Sequence, residues 1–480
     1  MVNSSLYAVV PILCVVLAAL AVMAAEAFRA KDESMPLGGL GIVGLIGAAV
    51  SAVLLWNRNA TSFGVIVADN FGLFVTLVLV IVGILTIMFS SVVVDRDGLP
   101  KGEYYALVLF AVVGMIMMAT ANDLLVVFIA LEILSLAVYV LTGIRRDDPR
   151  GTEAAFKYFL LGAFSSAFFL YGIAFTYGLS GSTRLDRIGT YLAAQSASDN
   201  PLILVAVGLL LVGFAFKISA VPFHMWTPDA YEGAPAVVTG FMSTGVKAAA
   251  FAAFTRVFLS AFESLSVDWA PMVWVLAAAT MILGTVVGVA QSNVKRMLAY
   301  SSIAHGGYLL VGLVAANQMG KAAILFYLLA YAVTNLAAFG VIALLGSRDA
   351  PNDELRDYTG LWHARPALAA LMTVCLLSLG GLPPTAGFIG KWYIFSAAVS
   401  AGYYGLAVIG VLTSVVSVFF YLRVVVMMYM ADRDPEMPAP AQVGGVGMAA
   451  LVASIIVIFY LGILPTRVLD LAAASIATIF

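Results

Sequence analysis

Four ionisable side chains lie deep inside apolar stretches of this sequence: Glu132, Lys217, Lys247 and Lys391. A lysine at the centre of a membrane helix costs about 2.5–3.5 kcal/mol on insertion scales, so such residues usually mark paths for ions or protons. Three lysines share one glutamate, so a carboxylate cannot neutralise all of them. Burial favours the neutral amine and a nearby carboxylate favours the charged one, which suits groups that bind and release protons.

Two of these lysines stand beside predicted helix breaks. Lys217 follows the apolar run 202–216, and Pro222, which has no amide hydrogen, comes soon after it. Lys391 follows the Gly- and Pro-rich segment 380–387. Irregular backbone at membrane depth is tolerated where it is buried or lines a cavity, and paired broken helices are typical of transporters built from repeats. The alternative is two proline kinks with lysines at helix ends.

The other deep residues have hydroxyl groups on the same helix face. Ser243 lies one turn before Lys247, and Ser135 lies on the face of Glu132. We expect Glu132 to be the counter-ion of one lysine, and a purely structural Glu–Lys pair is the alternative. Lys157, near the start of its run, can instead extend its head group to the membrane interface.

Two later runs carry polar faces that suit a water chain between the lysines. Their residues are Ser301, His305 and Tyr308 in one run, and Tyr327, Tyr331, Thr334 and Asn335 in the next. His305 is therefore a candidate relay, and a structural hydrogen-bonding role is the equal alternative. His224 lies beside the first break.

The elements that position these residues must be membrane helices. Of the 480 residues, 63% are hydrophobic and 10% are charged, less than half of the roughly 25% charged residues of an average soluble protein. With a net charge of -2, this composition excludes a soluble enzyme, a disordered protein and a nucleic-acid binder. The two cysteines, Cys14 and Cys375, form no metal motif, and no phosphate-binding loop occurs, so we expect no cofactor site in this chain.

About fourteen runs are long enough to cross a bilayer, which requires about 20 apolar residues. They are 6–28, 37–56, 71–94, 104–119, 124–144, 155–179, 202–218, 237–259, 272–289, 297–315, 322–345, 366–401, 403–430 and 443–464. No basic residue precedes the first run, as would be typical of a cleavable signal peptide, so we interpret this run as a membrane helix that is kept in the mature protein.

Basic residues are concentrated in the odd-numbered connections between these runs. Those connections contain Arg29, Lys31, Arg96, Lys101, Arg145, Arg146, Arg150, Lys295, Arg296, Arg348, Arg356, Arg365, Arg423 and Arg433. The even-numbered connections and the C-terminus contain Arg58, Arg184, Arg187, Arg256, Lys321 and Arg467. The positive-inside rule therefore places the odd connections in the cytoplasm and both termini on the outer side.

Three segments, residues 157–167, 221–235 and 293–305, resemble the proton-pumping, antiporter-like membrane subunits of respiratory complex I. The resemblance extends over essentially the whole chain and is greatest to the subunit N branch of bacterial NADH–quinone oxidoreductase. The most specific stretches are 158–166 and 239–249.

This resemblance implies an all-α membrane fold of fourteen helices in a single polytopic domain, 1–480. Two inverted five-helix repeats are implied at 104–259 and 272–430, with broken helices near 217–222 and 380–387. By position, Glu132, Lys217, Lys247 and Lys391 match the family's proton-translocating residues, and Lys295 resembles a lysine that links two half-channels.

The resemblance further implies outward proton pumping across a bacterial inner membrane, in which Glu132 and Lys217 form an ion pair. NADH, FMN, iron–sulfur clusters and quinone are expected in partner subunits of the membrane and peripheral arms. Two other functions stay open: a subunit of a cation/proton antiporter or membrane-bound hydrogenase, and a structural scaffold whose lysines only join helices.

Overall fold

The computed structural model describes residues 6–28, 35–194, 200–346, 353–432 and 444–479. Four basic residues used for the predicted orientation, Arg29, Lys31, Arg348 and Arg433, lie outside these ranges. The α-helices of the described residues are α1 Val10–Phe28, α2 Leu37–Leu55, α3 Asn70–Arg96, α4 Lys101–Thr120, α5 Leu124–Thr142, α6 Pro149–Ser180, α7 Leu185–Ala193, α8 Leu202–Lys217, α9 Trp226–Gly233, α10 Ala236–Phe241, α11 Lys247–Arg256, α12 Ser266–Val289, α13 Val294–Ala315, α14 Gln318–Leu345, α15 Leu361–Ala364, α16 Pro366–Gly380, α17 Ala386–Ser400, α18 Tyr404–Met430, α19 Gly445–Ile463 and α20 Thr466–Ile476.

This architecture confirms the predicted all-α membrane fold. Within the described residues, twelve helices are long and apolar enough to cross a membrane, and α8 and α16 are shorter apolar helices. Together they correspond to the roughly fourteen predicted runs. The sequence did not predict the small antiparallel hairpin of β1, Ala60–Ser62, and β2, Ile66–Ala68, in which Ala60 pairs with Ala68.

Several helices begin where a short polar side chain accepts a hydrogen bond from a free backbone amide. Asp123 caps α5 by accepting from the amide of Leu125, at 2.8 Å. Asn293 caps α13 in the same way from the amide of Arg296, at 2.9 Å. Such caps stabilise a helix start by about 1 kcal/mol, and they fix the beginnings of the helices that carry Glu132 and Lys295.

The span that carries Lys247 runs through the interior of the molecule. The helical segment Ala236–Ala261 is buried along its length, whereas α18 exposes Val415 and Phe419 on an apolar outer face. The buried segment contains two π-helical turns, Met242–Val246 and Val257–Ala261, which flank α11. Such turns occur often at functional sites, and Lys247 is the first residue of α11.

Two helices end at membrane depth beside lysines. Helix α8 ends at Lys217, and helical structure resumes at Trp226, whose indole nitrogen donates to the carbonyl of Phe216 at 3.0 Å. Helix α16 ends at Gly380, and α17 begins at Ala386. The predicted run 366–401 is therefore two helices. At each break, the last backbone carbonyl groups lack the amide donors that the next turn of a continuous helix would provide.

Candidate functional site

Lys217 lies at the C-terminal end of α8 and is surrounded by hydroxyl and aromatic groups. Its side chain is buried, with 3% of the residue exposed. The Nζ atom donates to the Ser135 hydroxyl at 2.9 Å and to the Tyr158 hydroxyl at 3.2 Å. It also lies 5.3 Å from the centre of the Tyr158 ring, within the range of a cation–π interaction. The C-terminal dipole of α8 adds a further favourable term for a positive charge.

The predicted ion pair between Glu132 and Lys217 is not formed in this structure. Glu132 accepts a hydrogen bond from the Ser166 hydroxyl at 2.5 Å, on helix α6. Ser135, one turn after Glu132 on α5, takes the place of the carboxylate beside Lys217. The reason is geometric: Ser135 occupies the position of α5 that faces Lys217, while Glu132 points towards α6.

Lys247 is buried against helix α13. Its Nζ atom donates to both the carbonyl and the hydroxyl of Ser302, the latter at 2.7 Å, and lies 5.9 Å from the centre of the Tyr331 ring. Ser243, one turn earlier, accepts from the Asn335 amide at 2.7 Å. Tyr331 and Asn335 of the predicted α14 face therefore lie beside Lys247 or its helix, whereas the contact from α13 comes from Ser302 and not from the predicted residues Ser301, His305 and Tyr308.

His305 joins three helices through phenol groups. Its Nδ1 atom lies 2.6 Å from the Tyr327 hydroxyl, and its Nε2 atom lies 3.2 Å from the Tyr421 hydroxyl. Tyr421 also bonds Ser301 at 2.5 Å. Tyr327 packs closely on α17, since a Cβ at Gly390, the residue before Lys391, would lie 2.2 Å from its ring. His305 thus lies in a hydrogen-bonded cluster between the surroundings of Lys247 and those of Lys391.

Lys391 reaches back from α17 to the end of α16. Its Nζ atom donates to the carbonyls of Leu379 and Gly380 at 2.8 and 3.1 Å, and to the Ser414 hydroxyl at 2.9 Å. The ring of Tyr308 lies 5.0 Å away. These carbonyls have no partner inside α16, so the lysine satisfies groups that the break left free.

Lys295 lies at the start of α13 and is 4% exposed. Its Nζ atom donates to the carbonyls of Glu232 and Ala234 at 2.6 and 2.8 Å, and lies 3.5 Å from the carboxylate of Asp353. Lys295 was expected in a connection between two spans, and it is the second residue of α13.

The two remaining residues named from the sequence lie apart from this group. Lys157 is half exposed and pairs with Glu153 at 2.7 Å and with Asp229 at 2.9 Å. His224 is half-buried in the segment between α8 and α9, and its Nδ1 atom has no hydrogen-bond partner among the described residues. Neither contacts Lys217 or Lys247.

Sequence reasoning missed the direct partners Ser302, Ser414 and Tyr421. Serines are common in apolar helices, and nothing in their spacing distinguishes the two that contact a lysine. Asp353 was also missed, because it lies in a polar connection and was taken only as a boundary between spans. Among the described residues, no group of three or more His, Cys, Asp or Glu lies close enough to hold a metal ion.

The arrangement is suited to proton transfer. Among the described residues, Lys217, Lys247 and Lys391 have no carboxylate within ion-pair distance and are held by hydroxyls and carbonyls. A charged amine without a counter-ion is costly to bury. Hydroxyl groups both donate and accept, so they can hold either the charged or the neutral amine.

Comparison with known proteins supports this chemistry. The family described as "NADH:quinone oxidoreductase/Mrp antiporter, TM" matches residues 121–417, a range that contains all the candidate site residues: Glu132, Lys217, Lys247, Lys295, His305 and Lys391. A protein of Trichlorobacter lovleyi named NADH-quinone oxidoreductase subunit N is 44% identical, covering 96% of this chain and 94% of that protein. The protein of that name from Chloroflexus aggregans is 42% identical, covering 98% and 96%.

Solved structures of complex I and of an Mrp complex also contain chains similar to this one. A chain of respiratory complex I from Thermus thermophilus, solved with bound aureothin, is 36% identical with a TM-score of 0.81, covering 96% of this chain and 99% of that one. A chain of the Mrp complex from a Dietzia species has a TM-score of 0.84 at 22% identity, covering 99% and 97%. The second likeness shows that the fold is shared.

Proposed function

Because this chain belongs to the NADH:quinone oxidoreductase/Mrp antiporter family of transmembrane proteins, we propose that it is the proton-translocating subunit N in the membrane arm of an NADH–quinone oxidoreductase. The chain is a multi-pass membrane protein. The observation that carries the proposal is the set of buried lysines, Lys217, Lys247 and Lys391, that lack a carboxylate partner among the described residues. A structural ion pair would need that partner.

In the mechanism we propose, the position of Glu132 controls Lys217. When Glu132 approaches, it neutralises the ammonium group of Lys217. When Glu132 is held by Ser166, as here, Lys217 keeps only hydroxyl partners and passes its proton towards Lys247. Removing the counter-ion of a buried charge is strongly unfavourable, which provides the drive for this step.

The proton then passes from Lys247 through the cluster around His305 to Lys391 and onward to the outer side. The hydroxyls of Tyr327 and Tyr421 flank both ring nitrogens of His305, so a proton can enter at one nitrogen and leave at the other. Moving one charge against 100 mV costs about 2.3 kcal/mol. That is comparable with forming or breaking one buried ion pair.

The energy for this movement comes from outside the chain. We place NADH, FMN, the iron–sulfur clusters and the quinone in partner subunits of the complex, because this sequence contains no motif for them. The uneven distribution of Lys and Arg supports an orientation with both termini on the outer side of a bacterial inner membrane. Residues 104–259 and 272–430 are proposed as inverted repeats, each with one of the two helix breaks.

The experiment that tests this function compares wild-type membrane vesicles with vesicles carrying Lys217→Ala. NADH–quinone turnover and the proton gradient are recorded after the amount of assembled complex has been measured. We expect at least a tenfold loss of both in the assembled variant, because the chain would lose the group that receives the proton. Lys101→Ala is the control, since that lysine is partly exposed and pairs at the surface with Asp95.

Each other result has a defined meaning. Wild-type turnover and gradient in Lys217→Ala would remove this lysine from proton transfer and favour the scaffold interpretation. Absence of NADH-linked activity in wild-type vesicles, together with sodium-dependent proton exchange, would favour a cation/proton antiporter.

A further inference from the structure

A carboxylate that the mechanism above does not use, Asp353, lies beside Lys295 at the cytoplasmic end of the proposed orientation. Backbone pairing fixes it there. The amide of Val294 donates to the carbonyl of Asp353 at 2.6 Å, and the amide of Leu355 donates to the carbonyl of Ser292 at 2.9 Å. The segment around Asp353 is therefore anchored to the start of α13, the helix that carries Lys295.

The surroundings of Lys295 suit an amine that changes its protonation. An ammonium group has three hydrogens to donate. Two face the carbonyls of Glu232 and Ala234, which only accept, and the third direction leads to the Asp353 carboxylate at 3.5 Å. A neutral amine can keep the two carbonyl contacts and accept a hydrogen bond from a protonated Asp353. The same geometry thus fits both protonation states.

Two cavities lie near this pair, and they share one lining residue. A cavity of about 20 Å³ is lined by Arg96, Arg145, Lys295 and Asp353, among others. That volume exceeds the ~10–15 Å³ that one water molecule requires. A wider groove of about 620 Å³ is lined by Arg145 and residues 146–150, among others. Arg145 lines both spaces, so the cavity beside Asp353 is adjacent to this polar groove.

The charges near Asp353 come from four further elements. Lys295 is on α13, Glu232 is on α9, Arg145 follows α5, and Arg96, at the end of α3, lines the same cavity. Burial raises the pKa of the Asp353 carboxyl above its ordinary value, the nearby charge of Glu232 acts in the same direction, and the positive charges of Lys295 and Arg145 oppose them. A carboxyl with a raised pKa retains its proton at a higher pH than an exposed aspartate does.

We propose that Asp353 is the residue that collects protons at the cytoplasmic side and delivers them to Lys295. In the delivery step, the O–H bond of the protonated carboxyl breaks and an N–H bond to the neutral amine of Lys295 forms. The carboxylate then regains a proton from hydronium that arrives through the two cavities. This inference rests on the proposed function and on its orientation.

The next acceptor lies on the same helix. Ser302 follows Lys295 by two turns of α13, about 10 Å along the helix axis, and its side chain and carbonyl hold the Nζ atom of Lys247. Asp353 and Lys295 would therefore supply the proton that Lys247 passes on. In this assignment Lys295 receives protons from the surface instead of only linking two half-channels.

The test uses the assembled complex in vesicles with two neutral variants of different size, Asp353→Asn and Asp353→Ser. We expect turnover, normalised to the amount of assembled complex, to fall at least fivefold at pH 8. In these variants, proton uptake should limit the rate. The deficit in turnover should therefore shrink at pH 6, where protons are a hundred times more abundant in the medium than at pH 8. Asp353→Glu, which keeps a carboxylate, should retain at least half of the wild-type turnover.

Asp95→Asn is the matched control, because that carboxylate also pairs with a lysine but its side chain is 60% exposed; it should leave turnover unchanged. Wild-type turnover in both neutral variants would overturn the inference. So would a loss that is independent of pH and equally large in Asp353→Glu, since that pattern indicates a structural role. Absence of NADH-linked activity in the wild type would instead overturn the proposed function.

Discussion

The two helix breaks of this molecule hold their lysines in different ways. At the first break, the Nζ atom of Lys217 is bound by two hydroxyls from other helices, Ser135 and Tyr158. At the second, the Nζ atom of Lys391 is bound by the backbone carbonyls of Leu379 and Gly380, together with one hydroxyl. Hydroxyls donate and accept, whereas carbonyls only accept.

This difference in hydrogen-bond partners suits the two breaks to different roles in proton transfer. The surroundings of Lys217 can adapt to an ammonium or an amine, and Glu132 lies one helical turn from Ser135, near enough to compete for the lysine. The carbonyls around Lys391 only accept hydrogen bonds, and they fix the position of the head group. We infer that the first break is the controlled element and the second a fixed relay with one route onward, through Ser414.

The strongest challenge to this comparison is removal of the relay lysine. We expect Lys391→Ala to reduce both turnover and the proton gradient at least tenfold, which corresponds to about 1.4 kcal/mol or more in the rate-limiting barrier. The change also leaves the carbonyls of Leu379 and Gly380 without a partner. Turnover and gradient are measured on vesicles with matched amounts of complex. Full activity in this variant would show that protons leave without passing the second break.

A smaller loss of turnover should distinguish Lys217, which is held by hydroxyls alone, from Lys391, which is also held by carbonyls. We expect the double variant Ser135→Ala/Tyr158→Phe to lose about fivefold in turnover, because both hydrogen-bond acceptors of the Lys217 head group are removed. Ser414→Ala leaves two carbonyls on Lys391 and should lose less than twofold. Equal losses in the two variants would mean that the partners play the same role at both breaks.

The smallest expected effect comes from the turn beside Lys391. Gly381 has a φ of +80°, and a Cβ there would lie 2.9 Å from the Cδ atom of Lys391. Gly402 has a φ of +82° with no heavy atom within 4 Å of such a Cβ. Both alanine substitutions strain the backbone by about 1 kcal/mol. Only Gly381→Ala should also displace the lysine.

We therefore expect about a twofold loss of turnover in Gly381→Ala and none in Gly402→Ala, with similar losses of thermal stability in the two assembled complexes. If the two variants had the same turnover, the position of the Lys391 head group would not limit proton transfer.

The membrane-spanning architecture followed from the sequence because it depends on local properties. Hydropathy over about twenty residues identifies a span, and Pro222 and the segment 380–387 mark breaks by the chemistry of their own backbone. The deep positions of Lys217, Lys247 and Lys391 followed for the same reason. Polar faces on α13 and α14 were also visible, since helical periodicity is a property of one segment.

The partners of those residues depended on tertiary structure. Lys217 binds residues of α5 and α6, and Lys247 binds a residue of α13, all far away along the chain. The rotation of each helix about its axis and its position along the membrane normal decide which hydroxyl contacts a lysine. The hydropathy of a segment contains no information on either. This is why the Glu132–Lys217 ion pair was expected from the residue types, while in the structure Ser135 accepts from Lys217 and Glu132 accepts from Ser166.

Asp353 illustrates the same limit at the surface. In the sequence it is one acidic residue in a polar connection, and its type gives no reason to separate it from Asp349 or Glu354. The pairing of its backbone with residues 292–294 brings it to Lys295. The sequence by itself thus determined which groups are buried and where helices break, because both are local free energies. The fold alone decided which of these groups exchange hydrogen bonds, because those distances are set by the packing of many helices at once.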